Sequence, residues 1–138
     1  MARSEATVEI DRPPEEVFRW LVEPELRRRW VSRLVSSEPL GEGSYRETMQ
    51  QAGRRVDLTS SIVAVEEPRR LEVRSEGRGV TAHGMHRLEP AGGGTRLTSS
   101  LDLRLGGVLR FAGGLAAHQT QRSLERSLAR LKKLLESS

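Results

Sequence analysis

Apolar and polar residues alternate along six segments in the middle of the chain, and this two-residue period is typical of half-buried strands. The predicted strands are Leu34–Pro39, Ser44–Gln51, Arg55–Glu66, Arg70–Glu76, Thr81–Glu89 and Thr95–Leu105. Glycine or proline lies between most of them, where these residues favour turns. An earlier segment, Thr7–Asp11, shows the same alternation. Short connections between consecutive strands predict an antiparallel meander.

Two short helices are predicted between the first and second strands. Pro13 and Pro14 end the first strand, and the acidic pair Glu15 and Glu16 favours the positive end of a helix dipole. The pattern predicts one helix over Pro14–Val22 and another from Pro24 to Trp30.

The last third of the chain, about Gly107–Glu136, has a helical period. Four leucines lie on one stripe of this helix, namely Leu124, Leu128, Leu131 and Leu135. A single sheet of seven strands has an apolar face to cover, and the long helix is the only element long enough to cover it. The sequence therefore predicts one α+β domain spanning residues 1–138, with a candidate pocket between sheet and helix.

Composition narrows the class of protein. The formal net charge is +4, with no cysteine and only three histidines, which are dispersed, so we expect no metal and no cofactor. The basic run Arg27–Arg29 lies beside acidic Glu23 and Glu25, so we interpret it as a solvated helix face and predict no nucleic-acid binding. No signal region and no apolar stretch of bilayer length are present, so we predict a cytoplasmic protein without stable membrane insertion.

The inner face of the predicted sheet mixes large apolar residues with small or hydroxylic ones. A plain core would carry larger apolar groups at these positions, because voids cost stability. Small and polar groups on an inner face suit a ligand cavity instead, although each serine could equally hydrogen-bond nearby backbone. The candidate ligand-binding residues from the strands and the preceding helix are Trp30, Tyr45, Met49, Leu58, Ser60, Val73, Ser75, His86, Ser99 and Leu101.

Toward its start, the long helix loses the large residues of its leucine stripe. The candidate cavity residues in this part are Phe111, Gly113, Ala117, Thr120 and Gln121. Phe111 points away from the stripe, so we predict a kink at Gly113-Gly114 that turns it toward the pocket; a dimer contact is the alternative. The protein is accordingly predicted to be a monomer or a homodimer.

His86 is the titratable ring predicted to face inward, so it is the candidate acid–base residue. Inward histidines more often serve as satisfied hydrogen-bond partners, and we assign it no catalytic role. Glu47 shares a face with Tyr45 and Met49, and we expect it at the rim of the opening rather than inside. Trp30 is expected to pack structurally, with its edge reaching a ligand.

Several segments together resemble one known superfamily. They are the strand–helix run Thr7–Leu21 with Pro13-Pro14-Glu15-Glu16, the downstream Trp30, Val63–Leu71, Leu88–Leu97 and the closing Leu131–Glu136. The chain thereby resembles the START-like superfamily, also called SRPBCC or Bet v 1-like, over nearly its whole length. The resemblance implies a helix-grip fold, in which a strongly curved seven-stranded antiparallel sheet wraps around the C-terminal helix and two short helices close one end.

The resemblance leaves three functions open. The first is non-enzymatic binding or transport of a small hydrophobic molecule, such as a lipid, polyketide or isoprenoid-like compound. The second is a polyketide cyclase/dehydratase-like enzyme that uses acid–base residues in the cavity; the sequence lacks an evident nucleophile, base and orienting residue, which favours a non-enzymatic function without excluding this one. The third is a protein-interaction module like the Hsp90 activators. We favour the first.

Overall fold

We describe a computed structural model that covers residues 2–51, 53–77, 79–106 and 113–137, with side chains given for all of these except Ala2, Gln51 and residues 113–117. Seven strands and three helices are present in this part of the chain. The strands are β1 Ala2–Ile10, β2 Leu34–Gly41, β3 Ser44–Gln51, β4 Arg54–Glu66, β5 Arg70–Gly77, β6 Val80–Ala91 and β7 Gly94–Leu105. The helices are α1 Pro14–Val22, α2 Pro24–Trp30 and α3 Gly113–Glu136.

The strands form one antiparallel sheet in the order β1-β7-β6-β5-β4-β3-β2. Strands β2 to β7 pair consecutively, and β1 pairs with β7 at the far edge. Register shifts interrupt β2 twice and β4 once, between Ile62 and Ala64. Such bulges bend a strand and increase its twist, which helps this sheet to curve. The predicted α+β helix-grip fold is confirmed.

Strand β1 begins at Ala2, whereas the sequence predicts a start near Thr7. The early residues pair regularly with β7, and Ser4, opposite Leu101, is buried. Ser4 and Ala6 occupy the inward positions that Val8 and Ile10 occupy later in the strand. The prediction was too short because the inward positions near the start carry small residues and show no alternation of apolar with polar side chains.

Helices α1 and α2 cover one end of the sheet. Pro14 lies in the first turn of α1, and Glu15 and Glu16 follow at the positive end of its dipole. The Nε1–H of buried Trp30 donates to the backbone oxygen of Trp20 at 2.9 Å and joins the two helices. The hydrophobic core lies at this end and contains Ile10, Val17, Phe18, Trp20, Leu21, Trp30, Leu71, Leu88, Leu97, Leu128, Leu131 and Leu135.

The second half of α3 seals this core. Leu128, Leu131 and Leu135 are almost completely buried against the sheet, whereas Leu124, one turn earlier, is only partly buried. The predicted leucine stripe therefore fills space over the final turns and stops doing so near Leu124.

Helix α3 is also bound to the free edge of β1. The side-chain amide of Gln121 accepts a hydrogen bond from the backbone N–H of Glu5 at 3.0 Å and donates to its backbone oxygen at 2.9 Å. Further along, Lys132 donates to the backbone oxygen of Glu9, and Glu136 accepts from the N–H of Asp11. These bonds satisfy edge groups that an open strand leaves unpaired.

Two predictions about the start of the long helix fall on residues outside the described part of the chain. They are the orientation of Phe111 and the kink at Gly113-Gly114, of which only the backbone from Gly113 onward is described.

Truncating Leu128 tests the seal between α3 and the sheet. Because this side chain is buried in the core, Leu128→Ala should lower the free energy of unfolding by about 2 to 5 kcal/mol. Leu40, which is half exposed at the end of β2, provides the matched control, and Leu40→Ala should cost less than about 0.5 kcal/mol. Chemical denaturation measures both, and equal losses would contradict the described packing.

Candidate ligand-binding cavity

A cavity of about 270 Å³ lies between the concave face of the sheet and α3, beyond the leucine seal. Its walls come from α1, α2, α3 and the five strands β3 to β7, whereas β1 and β2 contribute none of the lining residues. Most of the lining is apolar, including Val56, Ile62, Val73, Leu101 and Leu103. The alternation of each strand brings these residues to one face, because every second residue points the same way.

Ten of the predicted site residues line this cavity: Trp30, Tyr45, Met49, Leu58, Val73, Ser75, His86, Ser99, Leu101 and Thr120. Two other predicted residues lie elsewhere. Gln121 faces the edge of β1, as described above, and Ser60 lies beneath the cavity surface. The remaining three, Phe111, Gly113 and Ala117, lie outside the described residues or have no described side chain.

A buried ion pair joins α2 to the sheet at the cavity wall. The Glu47 carboxylate accepts a hydrogen bond from Arg27 of α2, and it also accepts from Ser37 and Ser60, each at 3.0 Å. Only 5% of the Glu47 side chain and 22% of the Arg27 side chain are exposed. The prediction that Glu47 lies at the rim is wrong, because three donors hold its carboxylate inside.

Ser60 connects the Glu47 carboxylate to Ser75, which lines the cavity. It is fully buried, and its hydroxyl lies 3.0 Å from Glu47 and 2.7 Å from the hydroxyl of Ser75 on the neighbouring strand. Arg27, Glu47, Ser60 and Ser75 therefore form one continuous chain of hydrogen bonds. Ser75 is the last residue of this hydrogen-bonded series, and it lines the cavity, as Arg27 and Glu47 also do.

His86 lies on β6, opposite Ser99 of β7 in the sheet register. Its Nδ1 is 2.7 Å from the Ser99 hydroxyl, and its ring meets Trp30 edge to face at a centroid distance of 6.3 Å. Burial, and secondarily the positive charge of nearby Arg27, lower the pKa of His86 from 6.5 to about 4. The imidazole is therefore neutral at pH 7, and part of its surface borders the cavity.

Arg27 is one of the site residues that sequence reasoning missed. The basic run Arg27–Arg29 was interpreted as a solvated face, and its members do diverge: Arg29 stacks on the Trp20 ring at 4.9 Å, whereas Arg27 turns inward. Residue type alone does not separate them, although Arg27 lies three residues before the inward Trp30, on the same side of the helix. Ser123 and Ser127 of α3 also line the cavity and were not predicted.

Within the described residues, no cluster of histidine, cysteine, aspartate and glutamate could hold a metal ion. The longest helix, α3, is amphipathic, and none of the described helices is long and apolar enough to cross a membrane. The site is a largely apolar cavity with a few polar side chains on its wall.

This sheet, its gripping helix and the cavity between them define the helix-grip class of proteins. The chain belongs to the family described as polyketide cyclase / dehydrase and lipid transport, whose family model matches residues 1–136. No curated protein matches the chain in sequence.

Solved structures show the same fold. A START superfamily protein from Mycobacterium smegmatis is 15% identical with a TM-score of 0.86, and 99% of each chain is covered. A conserved protein from Geobacillus kaustophilus is 21% identical with a TM-score of 0.83, covering 99% of this chain and 96% of that one. DynU16, a protein of the dynemicin biosynthetic locus, is 20% identical with a TM-score of 0.71, covering 99% of this chain and 48% of that one. At these identities the likeness shows the fold alone.

Removing one member of the buried ion pair should be costly. Arg27→Met leaves the Glu47 carboxylate buried without its cation, and the free energy of unfolding should fall by about 2 to 4 kcal/mol, somewhat less than for a fully buried pair because Arg27 is partly exposed. Adding Glu47→Gln should recover at least half of that loss. Urea denaturation measures both variants.

An exposed ion pair serves as the control for this experiment. Arg3 and Glu5 are each more than half exposed, so Arg3→Met should cost less than about 1 kcal/mol. A double variant at Arg27 and Glu47 that is no more stable than Arg27→Met would show that the pair is not the source of the loss.

The lowered pKa of His86 predicts how stability depends on pH. Between pH 6.5 and about 4 the unfolded chain binds a proton at His86 and the native protein does not, so acidification favours unfolding. The wild type should lose on the order of 2 to 3 kcal/mol more than His86→Gln over this range. Carboxylates titrate in both proteins, so the difference between the two denaturation series isolates the histidine. His118→Gln, at an exposed position, should follow the wild type; parallel curves for wild type and His86→Gln would refute the shift.

Proposed function

We propose that this protein binds a small, mainly apolar molecule in the cavity between the sheet and α3. The observation that carries this proposal is the uneven packing of α3, which seals the core through Leu128, Leu131 and Leu135 but leaves about 270 Å³ open beyond Leu124. A cavity of a few hundred Å³ with apolar walls and a few placed polar groups is typical of small-molecule sites. Family membership supports the same class of function.

The electrostatics of the lining favour binding over acid–base catalysis. A base whose pKa is about 4 is unprotonated at pH 7 but accepts a proton from a substrate poorly. The other ionisable groups on the described lining are Arg27, Arg33, Tyr45 and Glu47. Arg27 and Glu47 neutralise each other. This arrangement suits recognition of a bound molecule better than the polyketide cyclase/dehydratase-like alternative.

The likeness to Hsp90 activators rests on Pro13-Pro14-Glu15-Glu16-Val17-Phe18 and the downstream Trp30, and three of these residues have roles inside the scaffold. Phe18 and Trp30 are buried in the core, and Pro14 starts α1. None of the three has a fully exposed side chain that a partner protein could contact. These three residues therefore lend no support to the likeness to Hsp90 activators.

Three further properties are part of the proposal and stay predictions. The protein acts in the cytoplasm, binds no nucleic acid, and is a monomer or a homodimer. The ligand belongs to the classes lipid, polyketide or isoprenoid-like compound.

Filling the cavity tests the proposal. Gly84 lines the cavity on β6, and a Cβ atom there would meet Leu101 at an ordinary 3.7 Å, so Gly84→Leu can place its side chain in the cavity without forcing the backbone apart. The uncharged fluorescent ketone prodan should bind the wild type with one molecule per chain. Gly84→Leu should weaken this binding at least about tenfold, which corresponds to 1.4 kcal/mol of lost contacts.

The matched control is the same substitution at Gly41, where a Cβ would meet no atom within 4 Å and which does not line the cavity. Gly41→Leu should bind prodan as the wild type does. If folded Gly84→Leu retained full affinity, the binding site would have to lie elsewhere.

A further inference from the structure

The hydrogen bonds around the cavity fix which polar groups donate into it and which accept. His86 and Ser75 are the two cavity-lining groups for which this can be worked out from their neighbours. A neutral imidazole has one nitrogen that donates and one that accepts, and a serine hydroxyl has a single hydrogen to donate. Assigning each hydrogen therefore defines what a ligand must supply.

The hydrogen bond with Ser99 determines which ring nitrogen of His86 carries the proton. This serine is 1% exposed, and within the described residues its hydroxyl has Nδ1 of His86 as its hydrogen-bond partner and no other. The hydroxyl hydrogen of a buried serine needs an acceptor, because leaving it unpaired costs free energy. Ser99 therefore donates to Nδ1, and the proton of the neutral ring is on Nε2.

Nε2–H is the free donor of this ring. Among the described residues it has no hydrogen-bond partner, and the ring borders the cavity. Neutral His86 thus presents a donor, and a ligand atom opposite it has to be an acceptor such as a carbonyl oxygen.

The hydrogen bond with Ser60 determines where the hydroxyl hydrogen of Ser75 is donated. The single hydrogen of Ser60 is donated to the Glu47 carboxylate, which, paired with Arg27, can only accept. The 2.7 Å contact between the two serines then requires Ser75 to donate to Ser60. Ser75 has no hydrogen left, so it offers only lone pairs to the cavity and calls for a donor on the ligand.

The two groups are well separated. Ser75 is four residues along β5 from Leu71, the partner of His86 in the register, which corresponds to roughly 13 Å along the strand and one strand spacing across. Between the two groups the cavity is walled by Val73, Gly84 and Leu101. The ion pair between Arg27 and Glu47 adds no net charge to the site, and Arg33, the other charged residue on the described lining, is exposed to solvent, which screens its charge.

The geometry points to an uncharged, elongated apolar ligand that carries a carbonyl-type oxygen at the end near His86 and a hydroxyl at the end near Ser75. This inference rests on the proposed binding function and goes beyond it by giving the ligand's polarity and orientation. Ser99 and Ser60 act as positioning residues, because they set the hydrogen-bonding state of the two groups that face the ligand.

A biphenyl series tests both ends separately. The four uncharged probes are biphenyl, 4-acetylbiphenyl, 4-hydroxybiphenyl and 4-acetyl-4′-hydroxybiphenyl, with 4′-hydroxybiphenyl-4-carboxylate as the charged comparison. In calorimetric titrations of the wild type, each polar group should tighten binding about 2- to 10-fold over the probe without it, the usual net effect of one hydrogen bond. The carboxylate should bind more weakly than the hydroxyketone.

Two variants should separate the contributions. His86→Leu should remove the advantage of the acetyl group and keep that of the hydroxyl group, whereas Ser75→Ala should do the reverse. Ser61→Ala, at the neighbouring position of β4 that does not line the cavity, is the matched control and should change neither. In addition, ¹⁵N NMR of His86 should show the proton on Nε2 in the wild type.

The outcomes distinguish the two proposals. If biphenyl binds and the polar groups bring no gain, if the carboxylate binds tightest, or if the NMR spectrum places the proton on Nδ1, the inferred polarity is overturned while cavity binding stands. A loss in either variant that is equal for all probes would also overturn it. If none of the probes binds, the proposed function itself fails, and this inference fails with it.

Discussion

The uneven contact between one helix and one sheet is the constraint on which the rest of this structure depends. Within the described part of the chain, helix α3 is the only long element over the concave face; its leucines are buried from Leu128 onward, and Leu124 is only partly buried. Packing at native density on one side gives the domain its core, together with α1 and α2. The absence of comparable packing on the other side leaves a cavity, which a fold selected for stability alone would fill.

Near Thr120 and Ser123 the helix borders the cavity instead of packing tightly on the sheet, so another interaction is needed to hold it in place there. The structure provides it at the edge of the sheet, where Gln121 binds the backbone N–H and oxygen of Glu5 as a neighbouring strand would. This bond lies beyond the leucine seal, alongside the cavity. Side-chain to backbone hydrogen bonds therefore help to hold the helix beside the sheet without filling the cavity between them, and they also cover an exposed strand edge.

The sequence predicted the architecture well, because each strand and helix shows its own period of apolar residues within a short segment. Alternation placed Leu58, Val73 and Leu101 on one face, and a stripe of leucines identified the seal. What it could not predict depends on partners distant in the chain. Arg27 and Glu47 are 20 residues apart on different elements, and only the fold brings them together. Gln121 and Glu5 are 116 residues apart. The position of Gln121 near the leucine stripe predicted that it lines the cavity, but its side-chain amide binds the backbone at the free edge of β1.

The buried ion pair explains how a polar chain can exist beside an apolar cavity. An isolated carboxylate at Glu47 would be too costly to bury, and Arg27 together with two serine hydroxyls offsets that cost. Apolar residues of the same volume would stabilise the fold at least as well, so stability does not account for the pair. The pair instead determines the direction of the hydrogen bonds. Because the carboxylate can only accept, Ser60 donates its hydrogen to Glu47, and Ser75 then donates its hydrogen to Ser60. A neutralised ion pair at the cavity wall thereby sets the hydrogen-bonding character of the neutral Ser75 hydroxyl, and it adds polarity to the cavity without adding net charge.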